Sequence, residues 1–313
     1  MSERPANYSD TRDGTPPLRV SDVSEMALEA IIVRDMTATG WTAGDPKEYD
    51  RDSAVDLTQL SAFLQATQPE VAAALEITQD TPVRRKFLAR LQAEITSRGI
   101  VDVLRHPVGH GKYEVPLFYG TASPGNEKAA ELFAKNRFSV TRQLRYSRDE
   151  TRRALDLCLF INGLPVITFE LKNRLTKQTV DDAIEQYRRD RDPRELLFKF
   201  GRCIVHLAVD DQQAMMCTEL KGKSSWFLPL NQGYNDGAGN PPNPYGLQTD
   251  YLWKRILTPR SLTDIIENYA QIVEEKAPKT GRKKRKQVFP RYHQLDVVRK
   301  LLADVAERGA GRR

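Results

Sequence analysis

Residues 154–173 read ALDLCLFINGLPVITFELKN, and the fold turns on how that stretch is read. Two almost continuous apolar runs of strand length, rich in Leu, Ile, Val and Phe, flank Asn162-Gly163, a strong short-range hairpin signal. Strands this apolar belong at the centre of a sheet. Three charged residues nevertheless interrupt them: Asp156, Glu170 and Lys172. Charges are almost never fully buried unless they are paired or bind a metal, so the conflict with local hydrophobicity marks a functional site.

Strand alternation puts Glu170 and Lys172 on one face, with Cα atoms about 6.5 to 7 Å apart. The face of Asp156 depends on the turn. A two-residue turn at Asn162-Gly163 would pair Asp156 with Phe169 and put the carboxylates on opposite faces. A loop of odd length, such as a type I turn with a left-handed bulge at Gly163, brings Asp156 to the face of Glu170. The odd loop is the expectation. Two carboxylates and a lysine on one face make a hard-oxygen site for Mg²⁺ with an amine beside it. The metal would polarise a phosphoryl oxygen and acidify a bound water; Lys172 would position or deprotonate that water and offset charge on the phosphate.

Glu-x-Lys is also common by chance, and the chain holds a second copy, Glu219-Leu220-Lys221, with Asp210 and Asp211 upstream. That copy ends a short run and passes into the turn formers Gly222-Lys223-Ser224-Ser225. The first copy has two long strands, a tight hairpin and a following helix, which favours it as the site.

An Asp, a hairpin, Glu-x-Lys and a following helix with a Gln resemble the PD-(D/E)xK nuclease core. The wider blocks RYSRDETRRALDLCLFINGLPVITFELKN, AIEQYRRDRDP and FLPLNQG, in that order, resemble the N-terminal part of the type I restriction endonuclease R subunit. The likeness runs from about Ser24 to the C-terminus. It implies that Asp156 and Glu170 are metal ligands, that Lys172 is the catalytic lysine and that Gln186 is the glutamine of the Gln-x-x-x-Tyr motif on the DNA side. Leu155 stands where the superfamily name has proline. Asp190 occupies the place of the motif's tyrosine, with Tyr187 directly after Gln186.

At 313 residues the chain is long enough for one large domain or two smaller ones. No apolar run is long enough to span a membrane and the N-terminus lacks the apolar stretch of a secretory signal, so a soluble, cytoplasmic protein is expected. Cys158, Cys203 and Cys217 fall inside expected strands as small buried residues, with neither a disulfide framework nor a zinc spacing. A net charge of +6 and a pI near 9.1 suit a polyanionic partner without requiring one.

In chain order, residues 1–20 are polar and aperiodic, an expected disordered arm. A domain over 21–275 follows. Its first helix, from Ser24 to the stop at Gly40, carries Glu25 and Glu29, and Glu29 is the candidate accessory acid. Segments 56–67 and 84–98 read as amphipathic helices. HPVGHGKYEVPLFYGTASPGN reads as a loop, because Pro107 and Gly109 disqualify His106 and His110 as a helical metal pair; Lys112 on it is a candidate DNA or partner contact. After a short helix at 127–136, RFSVTRQLRYS alternates as a strand beside the hairpin. Its Arg142 and Arg145, with Arg148, Arg152 and Arg153, form a basic approach for double-stranded DNA.

Thr179 and Asp182 resemble a cap for a helix whose stripe is Val180, Ala183, Ile184 and Tyr187, with Gln186 beside it and Pro193 ending it. Segments 203–209 and 214–220 close the sheet, with His206 as a core histidine. Gly222-Lys223-Ser224 lacks the earlier glycine of a phosphate loop, since Cys217 holds its place. The long loop FLPLNQGYNDGAGNPPNPYG is a candidate contact for the motor or modification subunits. Helix resumes over 251–269, and residues 276–287, around PKTGRKKRKQ, read as a basic linker.

Residues 288–313 resemble the adenine-recognising lead-in of a superfamily 2 translocase, with Gln294 as its cofactor-binding residue. The chain stops before a phosphate-binding loop, as in a truncated motor domain, so ATP use is expected only in a full-length subunit. The expected fold is therefore α/β, a PD-(D/E)xK nuclease-like core with a mixed sheet of about five strands flanked by helices and a helical N-terminal extension. The expected function is Mg²⁺-dependent DNA cleavage within a type I restriction complex, alongside specificity and modification subunits. A non-catalytic docking module and a standalone defence or repair nuclease are the rivals.

Overall fold

The computed structural model describes residues 25–149, 152–276, 283–309 and 311, so the arm expected over 1–20 lies outside the described residues. Helix α1 (Glu25–Thr37) leads into strand β1 (Thr42–Ala43) and a small clip of β2 (Tyr49–Asp50) and β3 (Val55–Asp56). Helices α2 (Leu57–Thr67), α3 (Pro69–Ala74), α4 (Pro82–Arg98) and α5 (Ile100–Arg105) follow. Asp56 caps α2 by accepting from the Gln59 amide at 3.0 Å, and Thr81 caps α4, which opens on Pro82 as its first residue. The segment read as a loop around His106 and His110 instead makes a hairpin, β4 (Val108–His110) with β5 (Tyr113–Val115), turned by Gly111 at φ +63°. At that hairpin His106 pairs with Asp102, and His110 stands edge-on to Phe87.

After α6 (Glu127–Ala134) come β6 (Phe138–Leu144), β7 (Leu155–Ile161) and β8 (Leu164–Leu171). Helix α7 (Val180–Asp190) then crosses back to β9 (Val205–Val209), which is followed by β10 (Ala214–Cys217) and β11 (Leu228–Pro229). These strands and β1 form one seven-stranded sheet in the order β1-β6-β7-β8-β9-β10-β11. The β8–β9 and β1–β6 pairs are parallel, and the rest are antiparallel. The sheet of about five strands is thus five substantial strands with a two-residue strand at each edge.

All eight residues of β8 are buried, Glu170 among them, as befits a mostly apolar strand at the centre of a sheet. One face packs against the apolar residues of α1, α2, α4 and α5; the other is covered by α7 through Val180, Ala183, Ile184 and Tyr187. Burying side chains of this size is worth roughly 1.5–3 kcal/mol each, so these two faces dominate the stability of the fold. All three cysteines are buried and free. No helix among the described residues is long and apolar enough to cross a membrane.

The hairpin corrects one expectation and keeps its consequence. The loop is not odd: Ile161 pairs with Leu164, and Asn162 and Gly163 alone make the turn with φ of +51° and +81°, both left-handed as a type I′ turn demands. Asn162 is fully buried, accepting from Arg137 N at 2.6 Å and donating to Leu117 O and Asn136 Oδ1 at 2.9 Å. Gly163 lies against α2, where an added Cβ would come within 2.3 Å of Asp56 O, so a third loop residue has no room. The register shifts inside the strand instead. Phe160 faces Pro165 but Leu159 faces Ile167, leaving Val166 as a bulge. Pro165 has no N–H to give the ladder and therefore sits where the ladder breaks. The carbonyl of Val166 is taken up by Ile204 N at 2.7 Å, next to β9.

Beyond β11 the chain runs through a π-helical turn at Leu252–Ile256 into α8 (Pro259–Asn268), so the helix expected over 251–269 is broken at Pro259. The expected linker is not a linker over its described part. Strand β12 (Gln271–Lys276) pairs with β13 (Lys283–Val288), and Gln287 Nε2 ties this ribbon to the carbonyls of Cys203 and Ile204 at 2.6 Å each. Residues 277–282 lie outside the described residues. Helix α9 (Tyr292–Arg308) buries Tyr292 and Leu295 and leaves Val297, Leu301 and Leu302 exposed.

Candidate active site

The bulge decides the site. One step beyond the Leu157–Phe169 pair, Asp156 stands opposite Glu170 on the same face of the sheet. On the other side of β7, Arg142 pairs with Leu157 and Leu144 with Leu155, which sets Gln143 opposite Asp156. Glu170 is fully buried, Lys172 is 9% exposed and Asp156 is half-buried. The three charges read from the sequence are therefore gathered at one end of the central strands.

Each carboxylate is held. Asp156 Oδ2 accepts from the Leu171 amide at 2.7 Å across the strand pair. Glu170 Oε1 accepts from Arg191 Nε at 2.5 Å, and Glu170 Oε2 is buried with no hydrogen-bond partner. Burial pushes the Glu170 carboxyl up to about 8, with Arg191 pulling the other way and the neighbouring Asp156 adding to the rise. Lys172 N extends the parallel ladder by donating to Val209 O at 2.9 Å, which fixes the backbone under its side chain.

Glu29, the candidate accessory acid, is 1% exposed on α1 and lies beside this row. Its Oε1 accepts from Gln143 Nε2 at 2.6 Å and its Oε2 from Arg142 Nε at 3.0 Å. The same Gln143 amide lies 3.5 Å from Asp156 Oδ1, at the outer limit of a hydrogen bond, and so stands between the two acids. Gln143 reaches both from a left-handed backbone, φ +49°, a conformation uncommon outside glycine and frequent at functional sites. Burial raises the pKa of Glu29, against the opposing hydrogen bond from Arg142.

The other expected residues divide. Arg142 is engaged by Glu29, whereas Arg145 is exposed. Arg148 pairs with Asp52 and Arg153 donates to Asp190 O. Gln186 is half-buried on α7, while its neighbour Tyr187 is fully buried, its hydroxyl 2.8 Å from Thr168 Oγ1. Tyr187 is thus a packing residue. His206 is a core histidine, 2% exposed with Nδ1 2.7 Å from Thr168 Oγ1. Gln294 uses its Oε1 to cap α9, accepting from Arg291 N at 3.0 Å.

The second Glu-x-Lys copy assembles nothing comparable. Lys221 pairs with Glu219 at 2.6 Å, while Asp210 is fully buried and accepts from the amides of Val180, Gln212 and Gln213. Sequence reasoning missed Gln143, Arg191 and Tyr146. All three lie within blocks it had singled out, but only the tertiary fold aims them at the carboxylates.

Among the described residues no group of three or more His, Cys, Asp and Glu side chains is placed to hold a metal ion. Two carboxylates suffice for Mg²⁺, which keeps several waters and takes its remaining oxygens from solvent and substrate phosphate. The unpartnered, buried Glu170 Oε2 is the feature that fits such an ion.

Residues 22–225 match the family model described as the type I restriction enzyme R protein N terminus. The match contains α1, the central hairpin, α7, β9 and β10, and ends before β11 and the β12–β13 ribbon. No curated protein matches the chain.

Proposed function

The chain belongs to the family of type I restriction enzyme R protein N-terminal regions, and from that membership we propose that the face bearing Asp156, Glu170 and Lys172 cleaves DNA phosphodiester bonds with Mg²⁺. The observation that carries the reading is the pairing of Asp156 with Glu170 across β7 and β8, with Oε2 of Glu170 buried and unpartnered. A polar oxygen left bare in a protein interior is costly, and a cation offsets that cost.

Bound there, Mg²⁺ would supply Lewis acidity toward a phosphoryl oxygen and lower the pKa of a water. Asp156 and Glu170 would hold the ion from two adjacent strands, whose ladder fixes their spacing. The Lys172 ammonium, two residues beyond Glu170 on the same face, offsets negative charge that builds on the phosphate as the P–O bond to the leaving sugar breaks. Asp156 keeps its orientation through the Leu171 amide. Arg145, exposed on the chain leaving β6, would meet the DNA backbone.

In this reading DNA is the substrate. ATP-driven translocation and the specificity and modification subunits belong to the larger complex, where target choice is made. The experiment is plasmid nicking and cleavage by the chain in Mg²⁺ or Mn²⁺ at low salt, where phosphate binding is strongest. Cutting should disappear in Lys172→Ala and persist in Lys221→Ala. Cutting that survives Lys172→Ala would refute the assignment, and a chain that binds DNA but cuts nothing would favour the docking module.

A further inference from the structure

Arg191 is the first residue beyond α7 and is 3% exposed. Its guanidinium is divided among three acceptors. Nε donates to Glu170 Oε1 at 2.5 Å, Nη1 to the Tyr146 hydroxyl at 3.3 Å and Nη2 to the Ala154 carbonyl at 2.7 Å. The Tyr146 ring, itself 4.7 Å edge-on to Phe198, lies 5.6 Å from the guanidinium carbon and fixes its position from the side.

This arrangement is unlike an ion pair that serves stability alone. An arginine facing a carboxylate commonly closes a two-pronged fork on both oxygens. Here two of the prongs are directed elsewhere, and Glu170 Oε2 is left buried without a partner. A purely structural pair gains nothing from leaving that oxygen bare, and buried ion pairs are in any case weak stabilisers compared with apolar packing. The acceptors also have a common logic. Glu170 is on β8, and Ala154 lies two residues before Asp156 at the entry to β7, so one side chain ties together the two strands that carry the carboxylates.

We propose that Arg191 is a positioning residue for the Asp156–Glu170 site: it holds Oε1 of Glu170, leaves Oε2 alone to face a divalent cation, and fixes the spacing of the two carboxylates. The inference rests on the nuclease reading above. It assigns Arg191 no contact with substrate; it acts through Glu170, as hydrogen-bonding partners of ligating carboxylates do elsewhere.

The test is a calorimetric titration of Mn²⁺ into the intact chain at low salt, with a thermal melt of each protein. The proteins are wild type, Asp156→Asn, Arg191→Lys and Tyr146→Phe. Lysine keeps the positive charge but loses the planar three-way fork. Phenylalanine keeps the ring and removes only the hydroxyl that receives Nη1. Wild type should bind Mn²⁺ and Asp156→Asn should not. Arg191→Lys should bind about 10- to 100-fold more weakly, and Tyr146→Phe should fall between it and wild type while melting as a folded protein. A merely structural arginine would alter the melts and leave the affinity of folded variants unchanged, so wild-type affinity in Arg191→Lys and Tyr146→Phe would overturn the inference and spare the nuclease reading. If Arg191→Lys does not fold, Tyr146→Phe decides by the same criterion. A wild type that binds no Mn²⁺, or an Asp156→Asn that binds it equally, would overturn both.

Discussion

Replacing His206 with glutamine should remove a pH dependence of stability that the wild-type chain carries between pH 8 and pH 5. His206 is 2% exposed on β9, with its Nδ1 on Thr168 Oγ1 and the rings of Tyr187 and Phe198 each 5.9 Å away. Burial lowers its pKa from 6.5 to about 3. The unfolded chain therefore binds a proton on this residue in a range where the folded chain does not. The associated stability is fully present above pH 6.5 and is lost as pH falls toward 3. At pH 5 the unfolded histidine is almost fully protonated and the folded one almost fully neutral, which costs wild type about 2 kcal/mol relative to pH 8; the limit at low pH is on the order of 4–5 kcal/mol. The assay is urea unfolding of wild type and His206→Gln at pH 8, 7, 6 and 5. The difference between the two proteins isolates this residue from carboxylates that titrate in the same range. It should move by about 2 kcal/mol in favour of the variant from pH 8 to pH 5. A difference that stays constant with pH would refute the burial argument.

Gly163→Ala should destabilise the chain by at least about 2 kcal/mol, because the residue has φ +81° and its new Cβ would meet Asp56 O at 2.3 Å and Leu60 N at 2.7 Å; thermal melting reads this directly, and an unchanged melt would contradict the close packing of the turn on α2. Burial raises Asp56 from 3.8 to about 6 although its carboxylate caps α2, so the folded chain holds that proton to higher pH and stability falls as pH rises from 3.8 through 6. Asp56→Asn, which keeps the cap, should therefore be more stable than wild type at pH 8 by about 1 kcal/mol after solvent screening, and no more stable at pH 4. Gln143→Gly should relieve the left-handed backbone at φ +49° and change stability by less than about 1 kcal/mol, yet lower the nicking rate, because the amide between Glu29 and Asp156 is gone; equal rates would make Gln143 a bystander.

Much of the hairpin was legible in advance. Asn162-Gly163 specified a hairpin turn at that place, though of the wrong length, and the apolarity of β7 and β8 specified strands covered on both faces. The stripe Val180, Ala183, Ile184 and Tyr187 specified the helix that covers one of them. The register was not read correctly, although its signal was present. Pro165 stands in a strand too apolar to be an edge, and proline in a central strand is tolerated at a bulge. Weighing that residue would have moved the extra residue from the loop to Val166 and predicted the same Asp156–Glu170 pairing. Residues 276–287 failed for a different reason: their charge masked the strand potential of KKRKQV, which is realised through pairing with Gln271–Lys276 and through Gln287 on the Cys203 and Ile204 carbonyls.

The sequence by itself determined that Asp156, Glu170 and Lys172 sit in or at the end of strands covered on both faces, because apolar runs of that length have to be buried. It also determined the core histidine and the capped helix α7, since those are local matters of hydrophobic period and capping. Only the tertiary structure decided how the carboxylates are held. The partners are far away along the chain: Arg191 lies 21 residues from Glu170, and Arg142 lies 113 residues from Glu29. Contacts of that kind depend on where strands and helices end in space, on which guanidinium prong meets which acceptor, and on an oxygen left bare. Periodicity and spacing encode faces of elements, and they do not encode those meetings.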